Sequence, residues 1–92
     1  MESNKLCLYL SLKKEWFNLI DSGDKREEYR EIKPYWEKRL LGKSYERVVF
    51  SYGYTRRRMC LELLSVSVGI GKHEWGAPPT PVFILELGKR IY

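Results

Sequence analysis

The sequence has little of what several common classes of protein require. It contains one histidine and two cysteines, and Cys7 and Cys60 each lie inside an apolar alternating segment. A structural zinc site needs four nitrogen or sulfur ligands, so we expect no metal, no cofactor and buried thiols rather than a disulfide. A single histidine also excludes a nuclease mechanism that uses two histidines.

Long apolar runs are absent as well. No segment approaches the ~20 apolar residues of a membrane-spanning helix, and the short apolar run near the start has no small-residue cleavage site after it. We therefore expect a cytoplasmic protein with no membrane partner. The composition is 43% hydrophobic and 14% aromatic, which favours a folded chain over a disordered one. Ninety-two residues suit a single domain, 1–92, with one core.

Acidic residues are scarce in the second half of the chain. Residues 1–46 carry ten Lys and Arg against nine Asp and Glu, whereas residues 47–92 carry seven against three. Most of the net charge of +5 therefore belongs to the second half. This asymmetry favours an anionic partner there.

The apolar periodicity of the first half predicts a strand followed by two short helices. Alternating leucines from Leu6 to Leu12 indicate a strand, and helical spacing then continues to Gly23, where a left-handed cap is expected. Pro34 suits the first turn of a second helix. We expect Trp16 and Trp36 to face the core from these two helices.

Three further strands are predicted in the second half, within "ERVVFSYGY", "MCLELLSVSVGIG" and "VFILELG". The apolar phase of the long middle strand slips between Leu63 and Leu64, which indicates a bulge or sharp bend. The predicted fold is α+β: a small mixed β-barrel of about five strands, closed or nearly closed, flanked by two short helices.

The stretch "SGDKREEYRE", Ser22 to Glu31, holds seven charged residues among ten. Glu28 and Arg30 are two apart and would share one face of a strand, while Lys25 precedes that strand. Such a group fits the floor of a polar cleft, in which the lysine meets a phosphate or acts as a base or nucleophile. The alternative is a solvated turn with exposed ion pairs, which stabilise a fold by less than ~1 kcal/mol each.

Two loops offer further candidates. Tyr54 precedes three consecutive arginines, Arg56, Arg57 and Arg58, and this mixture of rings and cations is typical of nucleic-acid surfaces, although a solvated hairpin tip is the other interpretation. Loop "GKHEWGAPPTP" places a titratable ring, a carboxylate and an indole together, and these either line a ligand site or form a structural cover. Its candidate residues are His73, Glu74 and Trp75.

The pattern Gly23-x-Lys25-x-x-Glu28-x-Arg30, with a strand and helix before it and "VFILELGK" near the end, resembles the ASCH domain, a branch of the PUA-like superfamily. The resemblance covers nearly the whole chain. It implies a PUA-like barrel with a cleft that takes RNA or a nucleotide, and hydrolysis in some members. One branch hydrolyses acetylcytidine with a lysine, a threonine three residues later and a glutamate in a later loop. Lys25 matches that lysine, Glu28 replaces the threonine, and Glu74 is the nearest candidate for the loop acid.

Together these observations predict an RNA- or nucleotide-binding domain whose cleft contains Lys25, Glu28 and Arg30. One alternative is a small amidohydrolase acting on a modified nucleoside, with Lys25, Glu28 and Glu74 as catalytic residues. Another is a ribonuclease in which Lys25 and Arg30 stabilise the charge of the transition state. If Lys25 is an exposed cleft residue, its replacement by Ala should leave the melting temperature nearly unchanged.

Overall fold

The computed structural model describes residues 6–92, and within them it contains five strands and two α-helices, as the sequence predicts. The strands are β1 (Cys7–Leu12), β2 (Glu27–Arg30), β3 (Arg47–Tyr52), β4 (Arg58–Gly69) and β5 (Val82–Arg90). The helices are α1 (Lys14–Ser22) and α2 (Pro34–Leu40), and a short 3₁₀ turn spans His73–Trp75. The predicted α+β class is therefore confirmed.

The strands form one mixed sheet in the order β1-β3-β4-β5-β2. β1 runs parallel to β3, and every other neighbouring pair is antiparallel. The register between β4 and β5 shifts on both sides of Leu63, so the predicted bend near Leu63–Leu64 is confirmed. This irregularity lets β4 pair with β3 through its first half and with β5 through the remainder, and the sheet curves into a half-barrel.

The half-barrel does not close through backbone hydrogen bonds. Between residues 6 and 92 no ladder joins β1 to β2, the two strands at the edges of the sheet, so the expectation of a closed barrel is not met. A side chain spans this gap instead, because Nη2 of Arg30 on β2 donates to the carbonyl oxygen of Ser11 on β1 at 3.2 Å. The open side of the sheet is therefore the place where a cleft can form.

The core brings α1 together with the leucines of β1 and the apolar residues of β3, β4 and β5. Phe17 and Ile20 of α1 are buried, and the Phe17 ring meets Tyr52 edge-on with centroids 5.1 Å apart. Gly23 ends α1 with a φ of 88°, the left-handed cap predicted from the sequence.

Neither Trp16 nor Trp36 is a buried member of the core, and the expectation that both face it is met by Trp36, which packs against the core, but is wrong for Trp16. Both indoles are half-buried, and Trp36 packs one side against the core while both line an open cleft. Both cysteines are free thiols; Cys60 is buried, as predicted, whereas Cys7 is only half-buried. Among the described residues no helix has the length and apolar character needed to cross a bilayer.

Candidate functional site

A cleft of about 710 Å³ opens on the side where the half-barrel is incomplete, between α1, β2, α2 and the β3–β4 turn. β2 supplies its polar floor, and aromatic rings from three separate elements supply its walls. The floor contains Glu28, Tyr29 and Arg30, and the rings are those of Trp16, Trp36 and Tyr54. Polar groups that converge within an aromatic cleft are the usual form of a small-ligand site.

Glu28 lies between two cations beneath this cleft. Its Oε1 accepts a hydrogen bond from Lys25 Nζ at 3.1 Å, and its Oε2 accepts one from Arg30 Nη2 at 2.7 Å. Lys25 and Glu28 are buried, with 2% and 6% exposure, whereas the Arg30 side chain is 19% exposed. Lys25, Glu28 and Arg30 therefore form a largely buried ion-pair network. The interpretation of the charged stretch as a wholly solvated turn is wrong for these three residues.

The local geometry explains how the sequence forms this ion-pair network. Gly23 ends α1, and the backbone N–H of Lys25 then donates to the carbonyl of Leu19, which turns the chain back across the helix end. β2 begins two residues later and, within the described part of the chain, pairs with β5 alone. Because side chains alternate along a strand, Glu28 and Arg30 project from the same face of β2, as predicted.

Lys25 does not reach into the cleft. Its Nζ donates to the carbonyl of Glu27 and lies 5.5 Å from the Trp16 ring centroid and 4.8 Å from that of Tyr29. Burial lowers the pKa of the Lys25 ammonium, and the neighbouring Glu28 carboxylate offsets part of that effect. The description of Lys25 as an exposed cleft lysine is therefore wrong, and its role is to hold Glu28 from behind.

The Arg30 guanidinium has an N–H donor that no described residue uses. The guanidinium stacks on the Trp36 ring at 5.0 Å from the centroid, and Nη2 serves both Glu28 and the Ser11 carbonyl. Its Nε is buried and has no hydrogen-bond partner in the described part of the chain. An unpaired buried donor is costly, so a ligand acceptor that reaches this N–H would be stabilised there.

The three consecutive arginines contribute less to the candidate site than the sequence predicts. Tyr54 lines the cleft and is fully exposed, as a stacking ring must be. Arg57, however, pairs with Asp21 at 3.1 Å and lies over the Phe17 ring, while Arg58 donates to the backbone of its own turn. Arg56 is exposed and makes no hydrogen bond or ion pair with any described residue.

The loop after β4 lies beside the site without lining it. His73 and Glu74 are exposed and Trp75 is half-buried, and none of these three residues lines the cleft. The loop instead contacts two cleft residues. The Lys72 backbone N–H donates to the Tyr29 hydroxyl at 3.0 Å, and Gly76 lies against the Trp16 ring. That hydroxyl donates to Glu27 at 2.6 Å, and burial together with this carboxylate raises the pKa of Tyr29 to about 12.

Gly76 provides a test of this support. It has a φ of +95°, and a Cβ there would lie 2.8 Å from Cζ2 of Trp16. We expect Gly76→Ala to lower the free energy of unfolding by about 2 kcal/mol and to shift the indole emission, because backbone strain and displacement of Trp16 add together. Gly42→Ala is the control, since Gly42 also has a positive φ, +70°, but has nothing within 4 Å of the added methyl. Equal losses in the two variants would contradict the contact with Trp16.

Sequence reasoning identified Tyr54 but missed the other two aromatic walls of the cleft, Trp16 and Trp36. Trp16 and Trp36 follow helical spacing, which is also the spacing of core residues. For Trp36 the signal is helix length, because α2 has only seven residues and leaves this indole partly exposed. Between residues 6 and 92 no three His, Cys, Asp or Glu side chains lie close enough to hold a metal ion.

Comparison with known proteins adds no relative. No protein-family model matches the chain, and no curated protein sequence matches it significantly. A functional proposal therefore depends on the geometry of the cleft and on the resemblance of its charged motif.

Proposed function

We propose that this protein is an ASCH-type, PUA-like domain that binds a nucleotide unit of RNA, or a free nucleotide or nucleoside, in the cleft above Glu28 and Arg30. One observation carries the proposal: a single cleft combines a fixed carboxylate, a guanidinium with an unpaired buried N–H, and three aromatic rings. The curved five-stranded sheet with two helices supports the assignment to a PUA-like fold.

The chemistry of a nucleobase matches these groups. A base presents a planar face for stacking, which Trp16, Trp36 and Tyr54 offer, and polar edges that need both donors and acceptors. Each Glu28 oxygen already accepts one hydrogen bond and retains a second lone pair for an amino or imino group. Arg30 can donate to a carbonyl or phosphate oxygen.

The geometry favours binding over amide hydrolysis. A lysine-dependent hydrolase would need Lys25 and Glu74 at the cleft surface, but neither of these residues lines the cleft. The Lys25 ammonium is already engaged by Glu28 and by the Glu27 carbonyl. A ribonuclease that uses Lys25 and Arg30 together meets the same difficulty, since only Arg30 faces the open cleft.

Titration of the protein with each 5′-mononucleotide, followed by tryptophan fluorescence, tests the proposal. We expect saturable changes for at least one nucleotide, because two indoles line the cleft. Trp36→Leu should weaken that binding about 10-fold, the loss expected from one stacking partner worth ~1–3 kcal/mol. Trp75→Leu should bind as the parent does, since Trp75 is outside the cleft lining, and Trp16 remains as a reporter in both variants. If none of the nucleotides binds, or if both variants lose the same affinity, the proposal is overturned.

A further inference from the structure

A second concave surface lies on and beside α2, outside the cleft. It encloses about 400 Å³, and we call it the α2 surface. Its lining consists of three cations and two phenols, with no acid among them: Tyr35, Lys38, Arg39, Lys43 and Tyr45. A surface of this composition attracts an anion and offers it rings to stack on.

The α2 surface is held in shape by its own contacts. The Arg39 guanidinium lies over the Tyr35 ring at 4.6 Å from the centroid, and the Tyr45 hydroxyl donates to the Arg39 carbonyl at 2.6 Å. Tyr35 remains 54% exposed. Lys38 and Lys43 are exposed and form no ion pair with any residue from 6 to 92.

Stacked side chains connect the α2 surface to the cleft. Tyr35 meets Trp36 edge-on at 4.8 Å and an interplanar angle of 90°, and Trp36 in turn lies under Arg30. The series Arg30, Trp36, Tyr35, Arg39 therefore places two adjoining rings between two cations, from the cleft onto α2. A ligand that leaves the cleft past Trp36 meets Tyr35 next.

The basic surface that contains Arg57 and Arg90 is less available to an anion. Asp21 accepts from Arg57 at 3.1 Å and from Arg90 at 2.6 Å, so a carboxylate already neutralises part of the cationic surface near the β3–β4 turn and the end of β5. No residue that the structure describes supplies such a carboxylate to the lining of the α2 surface. Its cations are therefore available to a phosphate.

We infer that the ligand is a single-stranded nucleic acid of several nucleotides, with one base in the cleft and its neighbours extending across the α2 surface. This inference depends on the proposed function, because the cleft must first accept a base. A single strand fits better than a duplex, since the Tyr35 ring needs an unpaired base, and Lys38 and Lys43 are placed for the phosphates that link the bases.

The test compares one 5′-mononucleotide with a single-stranded hexanucleotide of the same base across a range of salt concentrations. In Lys38→Gln/Lys43→Gln the hexanucleotide should bind at least about 10-fold more weakly, and the salt slope should fall by about 1.4, or ~0.7 for each lost phosphate contact. The mononucleotide affinity should not change. The control Arg26→Gln/Lys89→Gln removes the same charge from exposed residues at another cavity and should lose less than half as much.

The outcomes separate this inference from the proposed function. If no mononucleotide binds the parent protein, the proposed function fails. If the mononucleotide binds but the hexanucleotide binds no more tightly, or if both double variants lose equally, the cleft proposal survives and the α2 path is overturned. Equal affinity for a duplex of the same length, or equal competition by polyglutamate or by anionic lipid vesicles, also overturns it, because the surface would then be a general anion site.

Discussion

Replacing Lys25 by Ala is expected to lower the free energy of unfolding by about 3 kcal/mol, measured by urea denaturation. The side chain is 2% exposed, so the variant leaves a cavity beside Trp16 and Tyr29. Among residues 6–92, it also leaves buried Glu28 with Arg30 as its one remaining cationic partner. Removing one partner of a buried ion pair costs far more than removing an exposed one, because the other charge stays desolvated.

Two variants separate the components of this loss. Lys25→Met retains most of the volume and removes the charge, so it should recover the part of the loss that is due to the cavity. Lys33→Ala is the exposed control, because Lys33 pairs with Glu31 at 3.0 Å with side chains 52% and 74% exposed, and it should cost less than ~0.5 kcal/mol. An unchanged denaturation midpoint for Lys25→Ala would contradict the burial of its ammonium group.

The same burial fixes the sign of the pH dependence. The pKa of Lys25 in the folded protein is lowered from the ordinary value of 10.5, so between the two values the unfolded chain binds more protons than the folded one. The penalty for burying the ammonium is complete below the folded pKa and is relieved as the pH rises toward 10.5. The parent protein should therefore gain stability relative to Lys25→Met as the pH rises through that window.

Local patterns predicted the strands, the two helices, the Gly23 cap and the bend in β4. Each of these depends on periodicity or on the conformation of a single residue, which a sequence displays directly. The face shared by Glu28 and Arg30 was predictable for the same reason, since side chains alternate along any strand.

The burial of Lys25 was not predictable in this way. Dense charge normally indicates solvent exposure, and the rings that enclose the ammonium come from α1 and β2, whose separation in space is set by tertiary packing. The position of the loop that carries Glu74 depends likewise on the pairing of β4 with β5, which places Gly71 against Tyr29 and Gly76 against Trp16. Long-range packing therefore determines which candidates meet in the cleft.

Arg30→Lys is expected to weaken nucleotide binding at least about 30-fold while the charge of the site stays the same. Arginine supplies several contacts at once here: a stack on Trp36, a bond to Glu28 and a bond to the Ser11 carbonyl. Its buried Nε–H has no partner among the described residues. Lysine retains the positive charge but has no planar fork, so it cannot maintain the stack and the bonds to both edge strands together.

The measurement is nucleotide affinity by tryptophan fluorescence alongside urea denaturation. We expect Arg30→Lys to lower the free energy of binding by about 2 kcal/mol and the free energy of unfolding by about 1 kcal/mol, which would identify Arg30 chiefly as a ligand-binding residue. The guanidinium contributes less to folding than the buried Lys25 because its side chain is 19% exposed. Arg26→Lys is the matched control, since Arg26 is exposed and outside the cleft lining, and it should leave both quantities unchanged. If Arg30→Lys binds nucleotides as the parent does, charge alone serves the site, and the role of the planar guanidinium in ligand recognition is refuted.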